Sequence, residues 1–273
     1  MSELVTLAID DGVADVRFNR PDKHNSLTLD MFAAIVQTGE SVRRNRAVRA
    51  AVVSGNGPSF CAGLDFSIMR AMLAGRAEAQ MVLATLLQRD DAPDNLAQRT
   101  AYVWKTAPMP VIAALRGVAF GGGCQIALAC DLRIAAPDAR MSVMEIKYGL
   151  IPDMALTQTL PGLVAPDVAK ELTLTGRIVD ASEAKALGLV TRLADDPLAA
   201  ALELARDIAR RSPEATRAAK RLLNEGWRAH PRASLALEEE LQRTLLGSPN
   251  QIEAVTASLE QRAPNFEDPT IFA

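Results

Sequence analysis

Residues 111–135 read VIAALRGVAFGGGCQIALACDLRIA. An apolar run with strand character leads into three consecutive glycines, Gly121, Gly122 and Gly123, and a second apolar run with helical character follows them. Because glycine has no Cβ, the backbone N–H groups at the start of that helix can face outward toward a negatively charged group. The stretch therefore predicts close packing or a plain turn, a phosphate site, or a site for an oxyanion that develops during a reaction.

The spacing around the triplet argues against the two common phosphate-binding loops. A P-loop continues from its glycines to Lys and then Ser or Thr, whereas Cys124 and Gln125 follow Gly123 here. The dinucleotide-binding pattern G-x-G-x-x-G is absent from residues 117–123. Close packing and an oxyanion site remain open from the residues alone.

Composition bounds the class of protein. The chain has 273 residues and a formal net charge of −3, with both signs mixed along its length. The length suits one large domain or two smaller ones. The charge balance gives no basic face that would bind nucleic acid or a membrane surface. The first residues lack the layout of a targeting segment, and no uncharged apolar run approaches the ~20 residues that span a bilayer. We expect a cytoplasmic protein whose partner is a small molecule or a second copy of itself.

Cysteine and histidine residues give little sign of metal or redox chemistry. Cys61, Cys124 and Cys130 form no C-x-x-C pair and are odd in number, which suits reduced thiols packed as small apolar residues. His24 and His230 have no cysteine or acidic partner at the spacing of metal ligands. The sequence therefore predicts no metal and no redox cofactor, and it leaves the proton chemistry to carboxylates.

Hydrophobic periodicity predicts alternating strands and helices through the first two thirds of the chain. The expected strands are 5–9, 13–18, 48–53, 111–115 and 132–135, and the expected helices are one that Thr28 caps and one over 125–130. Residues 66–105 are mostly helical by composition, with a charged break at 90–94, and we interpret them as a lid or wall.

The last part of the chain is predicted to be helical. Four amphipathic helices, over 197–211, 213–225, 234–246 and 249–262, each begin at Pro or Ser. Their apolar faces need a surface that covers them. The pattern allows either the chain's own core or a neighbouring subunit.

Three segments, in this order and at these separations, point to a known family. They are 19–27 (NRPDKHNSL), 60–65 (FCAGLD) and 117–124 (GVAFGGGC), and the later string AKALGLV at 184–190 fits the same pattern. With them the whole chain resembles the crotonase superfamily of enoyl-CoA hydratases and isomerases. The resemblance implies an α/β fold in which a crotonase spiral of ββα units, residues 1–195, contains the active site. Residues 196–273 would form a C-terminal helical region that builds a homotrimer, or a hexamer of two trimers.

The resemblance also implies a binding site. The backbone N–H groups of Leu64 and Gly122 would form an oxyanion hole for the thioester carbonyl of an acyl-CoA, which is the substrate, with no separate cofactor. Contacts to its coenzyme A part are expected from Lys23, Leu27, Ala62, Leu64, Asp65, Phe66 and Gly122. Lys23 and Arg262 are either phosphate contacts or ordinary solvated charges.

The reaction depends on the residues that follow the triplet. Family hydratases use two glutamates twenty positions apart, and this chain has Gln125 at the first place and Glu145 at the second. The Gln125 amide exchanges no proton near neutral pH, although it can orient a water or the substrate. Asp153 stands where the hydratases have a glycine that helps to hold the water. The pair of Glu145 and Asp153 resembles the acids of dienoyl-CoA isomerases.

Four functions follow from these residues, in order of preference. C=C isomerisation of an enoyl- or dienoyl-CoA comes first, with Glu145 as the main proton shuttle and Asp153 as the second acid. Family dienoyl-CoA isomerases usually have a third acid at the place of Gln125, whereas monofunctional enoyl-CoA isomerases use the single glutamate. Hydration of a 2-enoyl-CoA comes next, with both acids holding the water. An acyl-CoA hydrolase or dehalogenase with Asp153 as nucleophile, and a non-catalytic scaffold, are further alternatives.

Overall fold

The computed structural model describes residues 3–227 and 229–271. Their strands are β1 (Val5–Asp10), β2 (Val13–Phe18), β3 (Ala50–Gly55), β4 (Val111–Leu115), β5 (Val118–Phe120), β6 (Leu132–Ala135), β7 (Arg140–Ser142), β8 (Val179–Asp180) and β9 (Arg192–Leu193). Their helices are α1 (Leu29–Arg44), α2 (Phe66–Ala74), α3 (Arg76–Leu86), α4 (Leu96–Thr106), α5 (Gly122–Ala129), α6 (Leu156–Thr159), α7 (Pro166–Thr175), α8 (Ala181–Leu187), α9 (Pro197–Ala209), α10 (Pro213–Gly226), α11 (Pro231–Leu245) and α12 (Pro249–Leu259). Short 3-10 turns lie at Pro21–Lys23 and Glu145–Tyr148.

The strands form two sheets. The larger has the order β1-β2-β3-β4-β6-β9, with an antiparallel hairpin of β1 and β2 at one edge and parallel pairing from β2 onward. The smaller has the order β5-β7-β8. β4 and β6 enter the large sheet, and the next strand along the chain, β5 or β7, enters the small one. The α/β spiral of strand pairs and helices is confirmed.

Within the described residues, four short strands, β5, β7, β8 and β9, lie outside the predicted pattern. The chain leaves β4 through Arg116 and Gly117, and a separate strand, β5, runs into the glycine triplet. Gly117 has a φ of +59°, and a Cβ there would lie 2.0 Å from the carbonyl oxygen of Pro58, so the turn requires glycine. This turn moves the chain from the large sheet to the small one. It also places Ala119 beside Cys61, with which it forms a parallel bridge.

The first tail helix packs on the chain's own core. Ala201, Ala205 and Ala209 recur every four residues on α9, are buried, and pack against side chains of the large sheet. α10 is attached through Lys220, whose ammonium lies 2.7 Å from the carboxylate of Asp131. Large apolar side chains on α10 to α12, or directly after α10 and α11, stay exposed: Leu223, Trp227, Leu235, Leu246, Ile252, Val255 and Leu259. The division near residue 195 and the trimer remain predictions.

Several element boundaries differ from the periodicity, among them the starts of β3, α5 and α11. α5 begins at Gly122, before the expected start at 125. The strand expected over 48–53 lies at Ala50–Gly55, where it pairs with β2 from Val13 onward. α11 begins at Pro231, before the expected start at 234, because the His230 side chain caps it and proline suits the first helical position. Its apolar pattern begins only at Leu235, so periodicity missed the first turn. No helix within the described residues is both long enough and apolar enough to span a bilayer.

Candidate active site

A cavity of about 1010 Å³ opens where several parts of the chain meet. Its walls come from residues between 20 and 32, residues 62–65, Gly121 and Gly122, residues between 144 and 154, and the helices between 66 and 105. Apolar side chains such as Leu83 and Leu86 line one side. The segment interpreted as a lid or wall therefore borders the cavity, as a wall.

Backbone pairing fixes the direction of the Leu64 N–H group. The N–H of Leu27 donates to the carbonyl oxygen of Gly63 at 2.8 Å, and the N–H of Asp65 donates to the carbonyl oxygen of Leu27 at 2.9 Å. Leu27 and Leu64 thus form a parallel bridge. Successive peptide groups of an extended chain point to opposite sides, so the N–H of Leu64 points away from Leu27.

A second backbone donor lies beside the first. It is the N–H of Gly122, the first residue of α5. A Cβ on Gly63 would lie 3.6 Å from the Gly122 nitrogen, so the two loops are in contact. Within the described residues, the N–H groups of Leu64 and Gly122 donate to no protein acceptor. Two such donors, one of them at a helix N-terminus, can bind a single oxygen that carries negative charge.

The third glycine of the triplet serves close packing. A Cβ on Gly123 would lie 2.4 Å from the carbonyl oxygen of Cys61 and 2.7 Å from its Cβ. Gly122 is also confined, because a Cβ there would lie 2.7 Å from the Met154 sulfur and 2.8 Å from Cδ1 of Leu27. The triplet thus combines the close packing and the unpaired N–H group that its sequence left as alternatives.

Substituting alanine for Gly123 is expected to destabilise the fold. The added methyl group must push apart α5 and the segment that carries Cys61, and overpacking of this kind costs about 1–3 kcal/mol. Thermal unfolding measures the loss as a lower Tm. Gly226→Ala is the matched control, since the nearest neighbours of a Cβ there lie at 3.7 Å. Equal melting temperatures for Gly123→Ala and the wild type would contradict the packing argument.

Glu145 borders the cavity and forms a hydrogen bond with the buried Gln125. Nε2 of Gln125 donates to Oε1 of Glu145 at 2.7 Å, and the Gln125 side-chain oxygen accepts from the N–H of Met154 at 2.9 Å. Gln125 lies behind Glu145 and is 0% exposed. The other Glu145 oxygen, Oε2, is buried and has no hydrogen-bond partner within the described residues. One carboxyl oxygen is therefore held, and the other has an unused hydrogen-bonding position within the described residues.

The second acid borders the same cavity. Burial raises the pKa of Glu145 above its ordinary value, and the charge of Asp153 raises it further, against the hydrogen bond from Gln125. Asp153 is open to the cavity, and partial burial raises its pKa as well. Two carboxyl groups in one cavity, both with raised pKa values, are suited to holding and releasing protons.

The structure brings the predicted coenzyme A contacts to this cavity: Lys23, Leu27, Ala62, Leu64, Asp65, Phe66 and Gly122. The carboxylate of Asp65 is already occupied, since Arg20, Ser26 and the N–H of Ser67 donate to it. Arg262 does not border the cavity and pairs with two glutamates on the surface. Contacts of these residues with a substrate remain predictions.

Arg20 and Ser26 are among the cavity residues that the sequence reasoning missed. Both lie inside segment 19–27, whose motif is visible in the sequence. The motif does not show which of its side chains point into the cavity.

His24 pairs through Nδ1 with the Ser59 hydroxyl at 2.9 Å. Ser59 is 3% exposed and does not border the cavity, so a substrate there does not reach that hydroxyl.

Comparisons with known proteins agree over nearly the whole chain. The family described as enoyl-CoA hydratase/isomerase matches residues 8–269. Mitochondrial methylglutaconyl-CoA hydratase of Homo sapiens is 31% identical over 263 residues, which cover 94% of this chain and 74% of that protein. The 2,3-dehydroadipyl-CoA hydratase of Escherichia coli (strain K12) is 32% identical over 269 residues, 98% of this chain and 99% of that protein.

A solved structure gives the same result. The crystal structure of an enoyl-CoA hydratase from Bacillus anthracis superposes with a TM-score of 0.87 at 30% identity, and the match covers 97% of this chain and 100% of that one. The family match and the structural match therefore both cover the part of the chain that contains the cavity, its backbone donors and its acids. The chain belongs to the enoyl-CoA hydratase/isomerase family of acyl-CoA enzymes.

Proposed function

We propose that this protein moves a C=C bond along the acyl chain of an unsaturated acyl-CoA, such as a 3-enoyl- or 3,5-dienoyl-CoA. The pair of Glu145 and Asp153 carries the proposal, because both carboxyl groups border one cavity and both have raised pKa values. Double-bond migration removes a proton at one carbon and returns one at another, so it needs groups that hold and release protons. Two acids beside one acyl chain meet that need.

The two backbone donors suit the thioester oxygen. When the α proton leaves, negative charge develops on that oxygen, and each preorganised donor stabilises the transition state by about 3–4 kcal/mol. The N–H groups of Leu64 and Gly122 face the cavity without a protein acceptor in the described part of the chain. A backbone donor places no demand on its own side chain, so leucine is compatible with this role.

Oε2 of Glu145 is the atom assigned to proton transfer. The N–H of Met154 can only donate, so the Gln125 amide must turn its oxygen to Met154 and its Nε2 to Glu145. Oε1 of Glu145 therefore accepts that bond in both protonation states, and the proton is carried on Oε2. Because Oε2 is buried without a partner in the described residues, a bound substrate can supply one.

Asp153 is the second acid of the proposed reaction. It precedes Met154, whose N–H is bound by the same Gln125 amide that holds Glu145. One amide thus fixes the spacing of the two segments that carry the acids. In its protonated form Asp153 delivers a proton farther along the chain, while Glu145 in its charged form removes one at the α carbon.

Hydration of a 2-enoyl-CoA is the second candidate. The relatives named above are hydratases, which favours it. In that reaction Glu145 and Asp153 would hold the attacking water, and Gln125 would take the place of a glutamate. Since an amide neither takes nor gives a proton near neutral pH, isomerisation stands first.

Side-by-side steady-state assays test the order of the two reactions. The substrates are a 3-enoyl-, a 3,5-dienoyl- and a 2-enoyl-CoA of one chain length. Each reaction is monitored by the absorbance of the conjugated thioester. We expect kcat/KM for isomerisation of at least one of the first two to exceed that for hydration. Faster hydration would reverse the order.

The acidic limb of the pH–rate profile is expected to report on Glu145. Protonation of Glu145 removes the base, so kcat/KM falls below its raised pKa, at a pH higher than the ordinary carboxyl value of about 4.3. Asp153 acts in its protonated form, which is neutral like asparagine, so Asp153→Asn should leave this limb in place in the residual activity. A limb that moves to lower pH would mean that Asp153 is charged when Glu145 acts as the base, and would contradict its role as the acid.

A further inference from the structure

We propose that Asp65 is a positioning residue, whose ion pair with Arg20 and hydrogen bond from Ser26 hold the Leu64 N–H group in the direction of the thioester oxygen. The inference rests on the proposed oxyanion role of Leu64 and Gly122. It assigns the Asp65 carboxylate a task within the protein, where the resemblance implied a contact with coenzyme A.

The Asp65 carboxylate is the centre of a small network. One guanidinium nitrogen of Arg20 donates to Oδ2 at 3.0 Å and also to the carbonyl oxygen and hydroxyl of Ser26. The Ser26 hydroxyl donates to the same Oδ2 at 2.6 Å. Oδ1 accepts from the N–H of Ser67 at 2.9 Å and thereby caps α2, a wall of the cavity. Both Asp65 oxygens are therefore used inside the protein.

The network is charged at neutral pH. Burial acts against the charge of Asp65, but hydrogen bonds from Ser26, Ser67 and Arg20 outweigh it and hold the pKa of this carboxyl well below its usual range. The side chains of Arg20 and Asp65 are 19% and 14% exposed, so the pair is screened less by water than a surface pair. An ion pair in this setting resists rotation of the loop that carries it.

The network lies directly beside the donor it would position. Ser26 precedes Leu27 and Asp65 follows Leu64, so their side-chain bond runs next to the two backbone bonds of the Leu27 and Leu64 bridge. Rotation of the Leu64 peptide would have to break these bonds. A displacement of about 1 Å at a reacting centre can cost about 10²-fold in rate. Loss of the network should therefore be visible in kcat.

Asp65→Asn separates positioning from charge, because the two effects have opposite signs. Asparagine keeps the size of the side chain and still caps a helix, but it no longer forms an ion pair with Arg20. Removing a negative charge near the thioester oxygen would by itself favour the enolate. If positioning dominates, kcat falls by between about tenfold and about 10²-fold, with a much smaller change in KM.

The chain offers a closely matched control pair. Arg99 and Asp94 also lie 3.0 Å apart, with side chains 19% and 14% exposed, and neither borders the cavity. Asp94→Asn should therefore leave kcat unchanged. Ser26→Ala is the second test variant, since it removes the hydroxyl that donates to Asp65 and accepts from Arg20, and leaves the ion pair in place. It should lower kcat in the same direction as Asp65→Asn and by less.

The deciding readout is the ionisation of bound acetoacetyl-CoA, a β-ketoacyl thioester whose enolate absorbs in the near ultraviolet. The wild type and Asp94→Asn should bind the enolate at a pH well below that of free acetoacetyl-CoA. Asp65→Asn should need a higher pH, and Ser26→Ala an intermediate one. A purely structural role would lower the amount of folded protein without moving this titration.

The outcomes separate the two proposals. If wild-type protein does not favour the enolate, the oxyanion role of Leu64 and Gly122 fails. If the wild type favours it and both Asp65→Asn and Ser26→Ala titrate like the wild type, the oxyanion role stands and the positioning role of Asp65 fails. A lower enolate pKa or a higher kcat in Asp65→Asn would also overturn it, because charge would then outweigh position.

Discussion

Replacing Glu145 by Gln is expected to lower kcat for isomerisation by about 10³-fold, because the only change is the loss of the group that moves the proton. Glutamine has the size of glutamate and can still accept from Nε2 of Gln125, so the cavity keeps its shape. Binding of acyl-CoA, measured by calorimetry, should change little. A kcat within a few-fold of wild type would remove Glu145 from the mechanism.

The same variant should be no less stable than the wild type at neutral pH. Burial raises the pKa of Glu145 in the folded state, so its ionisation favours the unfolded chain. This penalty is absent below the ordinary carboxyl pKa of about 4.3 and complete above the raised pKa. Glutamine carries no such penalty. Thermal unfolding of both proteins at acidic and at neutral pH serves as the control. A lower Tm of Glu145→Gln at neutral pH would mean that activity was lost because the variant is less stable than the wild type.

Asp153→Asn is expected to lower isomerisation by at least about 10²-fold, since one of the two proton-transfer groups is lost. Its carboxyl group borders the same cavity as Glu145, and its raised pKa favours the protonated form that acts as an acid. Asp167→Asn, at an exposed position of α7 away from the cavity, is the control and should leave the rate unchanged.

Two other results of Asp153→Asn would have a definite meaning. A rate near that of the wild type would make Asp153 an ordinary loop residue. Loss of thioester hydrolysis or dehalogenation, with isomerisation kept, would make it a nucleophile instead. A nucleophilic carboxylate must be charged, and burial of Asp153 works against that charge.

Much of the fold could be predicted because its core elements have strong periodic patterns. The hairpin of β1 and β2, the helix that Thr28 caps and the strand at Leu132–Ala135 all lie where alternation or helical spacing indicates them. β5, β7, β8 and β9 were missed because strands of two or three residues carry too little pattern. The closeness of Pro58 to Gly117, which makes glycine necessary in the turn before β5, is visible only in the folded structure. α11 was missed at its first turn because a cap and a proline begin it, not an apolar residue.

The site was predictable in its backbone and less so in its side chains. Glycines and a motif order are visible in the sequence, and they led to the amides of Leu64 and Gly122. The direction of a side chain is set by partners that are distant along the chain. The bond from Gln125 to the Met154 N–H and that from Ser26 to Asp65 therefore became visible only in the folded structure.

A competition experiment in a single tube tests the central proposal most directly. A 3,5-dienoyl-CoA and a 2-enoyl-CoA of the same chain length are offered at equal concentration, and NMR follows the 2,4-dienoyl-CoA and 3-hydroxyacyl-CoA products together. The ratio of the initial rates is the ratio of the two kcat/KM values, independent of how much enzyme is active. The proposed mechanism predicts that the 2,4-dienoyl-CoA accumulates first and that Glu145→Gln abolishes it. Accumulation of the 3-hydroxyacyl-CoA, with the dienoyl-CoA left unchanged and a 3-enoyl-CoA left unchanged in a separate tube, would contradict it.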